Sequence, residues 1–166
     1  MSLPSVGVRS LAVNFPKGVR TNEYWHERHP EMAAEAASRT LARLWSPGGK
    51  SPEESAFVSA MNPYLGDPFR GATRRRVLAP EESVLSMEIP AARRAIEAAG
   101  LGVGEIDLLI SGAFGPGQVG IGNAAFLNRS LGLRCPAWNI ETACTSSLVG
   151  LETACALVRS GSYRHV

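Results

Sequence analysis

Three residues of this chain can form and break a covalent bond through sulfur: Cys135, Cys144 and Cys155. They match no metal-ligand spacing, and an odd count does not close into disulfides, so reduced thiols in the cytoplasm are the economical reading. Cys144 stands apart from the other two by its surroundings, "NIETACTSSLVGLETACALVRSG". A strand ending near Thr142 and a helix beginning near Thr145 would put this sulfur at a helix N-terminus. Unpaired N–H groups and the helix dipole favour a thiolate there. The small neighbours Ala143, Ser146 and Ser147 permit a sharp turn and leave the sulfur approachable. The backbone N–H of Cys144 could also donate to the oxyanion of a thioester under attack. That is a nucleophile elbow with sulfur in place of the serine hydroxyl. The competing reading, a small core residue in a tight turn, stays open on the residues alone.

The elements that must position this sulfur follow from hydrophobic periodicity and from Gly and Pro punctuation. "SVGVRSLAVNFP" predicts a first strand over roughly residues 5 to 14, closed by Pro16 and Gly18. A helix follows, with Ala33, Ala37, Leu41 and Leu44 at helical spacing and Pro30 suited to a first turn. "SPGGK" ends it, and Ser51 with Glu54 stands at capping-box spacing for another helix. "NPYLGDPFRG" is a loop. Leu85, Ile89, Ala92, Ile96 and Ala99 mark a helix over Ser83 to Ala99, which Gly100 stops and Pro90 should kink or split. "EIDLLISGAF" and "CPAWNIET" read as strands buried on both faces. Between them lie the loop "GPGQVGIGN" and a helix from about 121 to 131. Leu148, Leu151, Cys155 and Val158 form the stripe of a last helix stopped by Gly161, and "YRHV" looks like a strand beginning. Phe114, Phe126 and Trp138 are expected in the core. Alternating strands and helices imply an α/β fold with a mostly parallel mixed sheet.

Composition narrows the function classes. With 166 residues, 45% of them hydrophobic, the chain can bury a real core, and its net charge of +2 argues against a nucleic-acid footprint. No run approaches the roughly 18 apolar residues of a membrane span, and no signal peptide is expected at the start. The densest charge cluster, Arg74-Arg75-Arg76, reads first as a solvated or carboxylate-paired surface and second as an anion site.

The Cys144 stretch resembles the active-site segment of the thiolase-fold condensing enzymes, in particular the ketosynthase pattern of an acidic residue followed by T-A-C-S-S-S-L. The rest is closer to the β-ketoacyl-acyl-carrier-protein synthase III branch. Arg75-Arg76, "APEES", "MEIPAARRAIEAAGL", "EIDLLISG" and "LGLRCPAWNIETAC" follow its order and spacing over residues 68 to 166. Residues 1 to 20 fit the family's first strand, whereas residues 21 to 66 are longer than its usual entry. The resemblance implies a layered αβαβα thiolase-like fold. Residues 1 to 166 are then its N-terminal half, with an inserted helical region at about 21–66. It makes Cys144 the acyl-accepting nucleophile, fed by a thioester of an acyl carrier protein or of coenzyme A, with no permanently bound cofactor. The acyl group then condenses with a second thioester in polyketide, fatty-acid or specialised metabolite biosynthesis. Transfer to an alcohol or amine is the alternative, and a non-catalytic partner subunit is a third.

The same resemblance requires a His and an Asn to polarise the second thioester. His26 and His29 are expected at the surface, and His165 follows the Cys helix, directed away from any site. A complementary C-terminal-half polypeptide carrying the His and Asn is therefore expected, the assembled enzyme being a dimer. The family's coenzyme A clamp of Trp and Arg is replaced at Leu65 and Phe69, which favours a carrier-protein donor. Arg74 and Arg75 are candidates to meet that carrier or its phosphopantetheine. "GPGQVGIGN" aligns with the family's dimer-crossing pocket loop, making Gly117, Val119 and Gly120 acyl-pocket candidates, with Gly122 adding room for a longer chain. Glu141, three residues before the nucleophile, is expected to accept backbone amides near the turn.

Overall fold

The computed structural model describes residues 5–42, 52–64, 67–113, 115, 117 and 120–166. Two units arise: Lys17–Val77, and Met1–Pro16 together with Leu78–Val166.

In the first unit, β1 (Gly18–Thr21) and β2 (Arg74–Val77) form an antiparallel ribbon, with helices α1 (Asn22–Arg28), α2 (Pro30–Ala42) and α3 (Pro52–Met61) between them in the chain. α2 begins at Pro30 as expected, and His29 before it (φ −139°, ψ 55°) ends α1, because the residue before a proline is driven out of the α region. The "SPGGK" stop and the Ser51 cap lie outside the described residues. The ribbon pairs Gly18 with Val77 so closely that a Cβ on Gly18 would stand 2.6 Å from the Val77 carbonyl oxygen. It also sets Arg20 opposite Arg75, a like-charge pair that needs other partners. Arg75 donates to Asn22 Oδ1 at 2.8 Å and lies over the Phe69 ring at 4.7 Å, while Arg20 lies over Tyr24 at 4.6 Å. The loop before β2 is built on Asp67, whose carboxylate accepts the Phe69 and Gly71 N–H groups at 2.8 and 2.7 Å. Those bonds hold its carboxyl below the usual carboxylate range.

The second unit carries α4 (Val84–Ala98), β3 (Leu109–Ser111), α5 (Ala124–Leu131), β4 (Ala137–Asn139) and α6 (Ser146–Arg159), with β3 and β4 parallel in the register Leu109↔Ala137 to Ser111↔Asn139. Ser83 caps α4, its hydroxyl accepting the Ser86 N–H at 3.1 Å while the Ser86 hydroxyl takes the Ser83 N–H at 2.8 Å. Pro90 does not split the helix, which runs on as one element to Ala98. The core is Leu127, Leu131 and Leu133, covered by Leu85, Ile89, Ala92 and Ile96 from α4 and by Ile106 and Leu109. Phe126 and Trp138, expected in the core, are half-buried, and Phe114 lies outside the described residues.

Three expectations need correction. Residues 5–14 form no strand; side chains hold them instead, Arg9 donating to Ala99 O at 2.8 Å and Ser10 to Ala95 O at 2.7 Å. The two buried strands are shorter than their apolar runs, since pairing covers only the three residues of each that face one another. "YRHV" is not a strand, but docks on Asp107, whose carboxylate accepts the Arg164 and His165 N–H groups at 2.8 and 3.0 Å.

Candidate active site

Cys144 is exposed, in a 3-10 turn over Ala143–Thr145 that links the end of β4 to α6. The strand stops at Asn139 rather than near Thr142, and the helix starts at Ser146 rather than Thr145, so the sulfur lies just ahead of the helix. The turn is closed by side chains more than by a regular ladder. Ser146, buried at 6% exposure, accepts the Thr142 N–H at 2.9 Å and donates to the Ala143 carbonyl at 2.9 Å. Thr145 Oγ1 donates back to the Thr142 carbonyl at 2.7 Å. The backbone bonds of the turn come from Thr145 to Thr142 and from Ser146 to Ala143, which leaves the Cys144 N–H outside them.

Backbone strain stands directly beside the sulfur. Ala143 has φ +52°, in the left-handed region that costs an L-residue roughly 1–2 kcal/mol. Glycine at 112 lets α6 begin this close to the end of β3, since a Cβ there would lie 3.1 Å from Ser146 Cβ. The Ser111 carbonyl accepts the Ile140 N–H at 2.8 Å, extending the β3–β4 pairing toward the turn. A strained, close-packed connection from strand to helix thus presents an exposed thiol. Sequence reading located the thiol but missed the strain on Ala143 and the bridging role of Ser146.

Glu141 is exposed, and the Thr142 amide next to it goes to Ser146 Oγ. Cys135 is half-buried in the core, where burial pushes its thiol up and away from thiolate chemistry. Cys155 is half-buried on α6, although the stripe assigned to it is not a core stripe: Leu148 is 68% and Leu151 50% exposed. His26 and His29 are exposed as expected, and His165 is tied through Nδ1 to the Glu105 carbonyl at 3.0 Å.

Among the pocket candidates, Gly117 and Gly120 are exposed, Gly120 having φ +91°, and Val119 lies outside the described residues. The helix after this loop, α5, begins at Ala124 rather than near 121. Its cap comes from β4: Asn139 Oδ1 accepts the Ala124 N–H at 3.0 Å, and Asn139 Nδ2 donates to Ile121 O at 3.3 Å. Arg74 is exposed and Arg75 half-buried, both on β2 of the other unit, with Arg75 engaged by Asn22 and Phe69 as described. Leu65 lies outside the described residues.

Comparison with known proteins converges on one group. The family "Beta-ketoacyl synthase, N-terminal domain" matches residues 110–165. A beta-ketoacyl-[acyl-carrier-protein] synthase III of Chlamydia caviae is 33% identical over 132 residues, covering 75% of this chain and 39% of that protein. The enzyme of the same name from Neisseria meningitidis is 36% identical over 93 residues, covering 55% of this chain and 29% of that protein. The chain therefore spans about two fifths or less of the length of these relatives. In structure, it superposes on OleA from Xanthomonas campestris with a TM-score of 0.70 at 18% identity, covering 97% of this chain and 41% of that one. The cerulenin-bound form of OleA gives a TM-score of 0.67 at 20% identity over the same shares. The fold is thiolase-like, as the resemblance implied.

Proposed function

We infer that this chain, which fits the N-terminal half of a β-ketoacyl-acyl-carrier-protein synthase III-like enzyme, is the nucleophile-bearing part of a condensing acyltransferase. The observation that carries this reading is the exposed Cys144 on a strained strand-to-helix turn inside the family-matched segment 110–165. Its sulfur attacks the carbonyl carbon of an acyl thioester, the S–C bond forms, and the donor thiol leaves with the proton. The Cys144 N–H, outside the backbone bonds of its turn, is the donor we assign to the oxyanion in that step. In the second half-reaction a carboxylated thioester loses carbon dioxide. The resulting carbanion attacks the acyl carbon, a carbon–carbon bond forms, and Cys144 leaves as the thiolate.

That second step needs a His and an Asn, which we assign to polypeptide beyond these residues. The limited share of the relatives that the chain spans supports this assignment. The exposed Leu148 and Leu151 beside the site also support it, since apolar helix faces of this kind are ordinarily covered. The assembled enzyme is a dimer and takes its acyl group from an acyl carrier protein; the relatives' printed name includes such a carrier, as the bearer of the β-ketoacyl group. Gly117 and Gly120 line the acyl site, with Val119 a candidate from the sequence alone, while Arg74 and Arg75 meet the carrier or its phosphopantetheine. Coenzyme A is the weaker donor, because Leu65 and Phe69 stand in the sequence where the resembled family carries its clamping Trp and Arg.

The test supplies the purified protein, with any polypeptide that accompanies it, with an acyl thioester and a carboxylated thioester. Release of carbon dioxide with a β-ketoacyl product, both lost in Cys144→Ala, is the expected result. Acyl transfer to an alcohol or amine without carbon dioxide release would replace condensation by ester or amide formation. No turnover with either acceptor would favour a non-catalytic partner.

A further inference from the structure

A set of buried side chains that the reaction above does not use joins α4, the segment before α5, and the strand leading to Cys144. Asn123 is 1% exposed and has no capping bond of its own to α5. Its amide is committed on both sides. Nδ2 donates to Glu88 Oε2 on α4 at 2.8 Å, and Oδ1 accepts the Gly117 N–H at 3.1 Å. Asn139, the last residue of β4, takes over the cap of α5 and holds the Ile121 carbonyl. Gly122 (φ +67°) lies so close under the Asn139 amide that a Cβ there would stand 2.3 Å from Nδ2. The two amides therefore hold Gly117, Ile121 and Ala124, and the acceptor that orients the first is a half-buried carboxylate.

Such a carboxylate is a costly choice, since burial pushes the Glu88 carboxyl up and only the Asn123 bond opposes that. Nothing in the core packing calls for an acid at this position. We propose that Glu88 is a positioning residue, orienting the Asn123 amide so that Gly117 is held in one arrangement ahead of α5. The proposal rests on the reading of Gly117 and Gly120 as acyl-lining residues. Its consequence is selective. Losing Glu88 leaves the Asn123 Nδ2 without its acceptor, Gly117 loses a fixed partner, and the pocket ceases to discriminate chain lengths while the thiol stays intact.

The test compares the full-length protein with Glu88→Ala, Glu88→Gln and Asn123→Asp, using short-chain and long-chain acyl thioesters, with iodoacetamide as a probe of the bare thiol. In Glu88→Ala the acylation rate of Cys144 with the preferred chain falls about tenfold and the chain-length preference flattens, as expected for one orphaned buried hydrogen bond. Iodoacetamide alkylation of Cys144 is unchanged. Glu88→Gln, whose amide oxygen still accepts from Asn123, restores the preference. Asn123→Asp sets a second carboxylate against Glu88, so it keeps the preference only while the pair shares a proton and loses it as pH rises and that proton leaves, a readout that stands should Glu88→Ala not fold. Amide hydrogen exchange is read in parallel. Exchange in the segment from Gly117 to Ala124 quickens about tenfold in Glu88→Ala and not in Glu88→Gln. Unchanged exchange and an unchanged chain-length profile in Glu88→Ala would overturn the proposal, as would a Glu88→Gln variant as impaired as Glu88→Ala. A wild-type protein that is alkylated but never acylated would sink the acyl reading instead, and the exchange data would still decide whether Glu88 positions the segment.

Discussion

Ala143 holds the one strained bond rotation next to the reactive sulfur, and its φ of +52° invites a direct probe. Ala143→Gly removes the left-handed penalty but adds freedom to the unfolded chain, and the two effects offset to within about 1 kcal/mol. Stability measured in urea should therefore barely move, while acylation of Cys144 slows because the turn no longer enforces one sulfur position. Equal acylation rates would show that the strain is incidental. Gly122 makes the opposite case. Gly122→Ala meets both a positive φ of 67° and the Asn139 amide, so it should lower unfolding stability by about 2 kcal/mol or more. An unchanged urea midpoint would mean that Asn139 does not clamp this loop. Cys144 was legible in sequence because a thiol between small residues, ahead of a helical pattern, has few uses. Ser146 was not, because a serine in a turn looks alike whether it bridges two backbone groups or faces water.

Helices were read from periodicity with little error, since α2, α4 and α6 each show their pattern locally. Their boundaries were harder to place, because the decisive caps come from distant residues: α5 starts where Asn139 of β4 meets its first N–H, not where its own apolar pattern begins. The strand expected over residues 5–14 failed for a related reason. Alternation marks a segment able to pair, whereas pairing needs a neighbour, and none is present among the described residues. At the C-terminal side, Asp107 replaces the expected strand pairing with two charge-assisted bonds to residues 164 and 165. These backbone bonds hold its carboxyl below the ordinary range. The contribution to stability is thus fully present above the unfolded carboxylate value, and is lost as pH falls through the depressed folded value. Acidification should release the segment from Tyr163 to Val166, seen as faster amide exchange at Arg164 and His165. Asp107→Ala, which removes the acceptor, should release it at neutral pH and remove this pH dependence; retained protection in that variant would contradict the assignment.

Across the molecule, apolar surface is distributed unevenly. Val8, Leu11, Val13 and Phe15 along the unpaired N-terminal segment, and Leu148 and Leu151 on α6, are all half-exposed or more. In the proposed function, the complementary His- and Asn-bearing polypeptide covers such faces. Leu151→Glu should therefore weaken association with the His- and Asn-bearing part while leaving the secondary structure of this chain intact. A variant that still co-purifies in full would place the contact elsewhere. No helix among the described residues is long and apolar enough to cross a membrane, so these faces are not a spanning segment. The whole proposal converges on one sulfur among three. Peptide mapping by mass spectrometry after incubation with an acyl thioester reads it most directly. An acyl adduct confined to Cys144, absent in Cys144→Ala and with Cys135 and Cys155 unmodified, is the expected result. An adduct on either other cysteine, or none in a protein whose Cys144 still reacts with iodoacetamide, would contradict it.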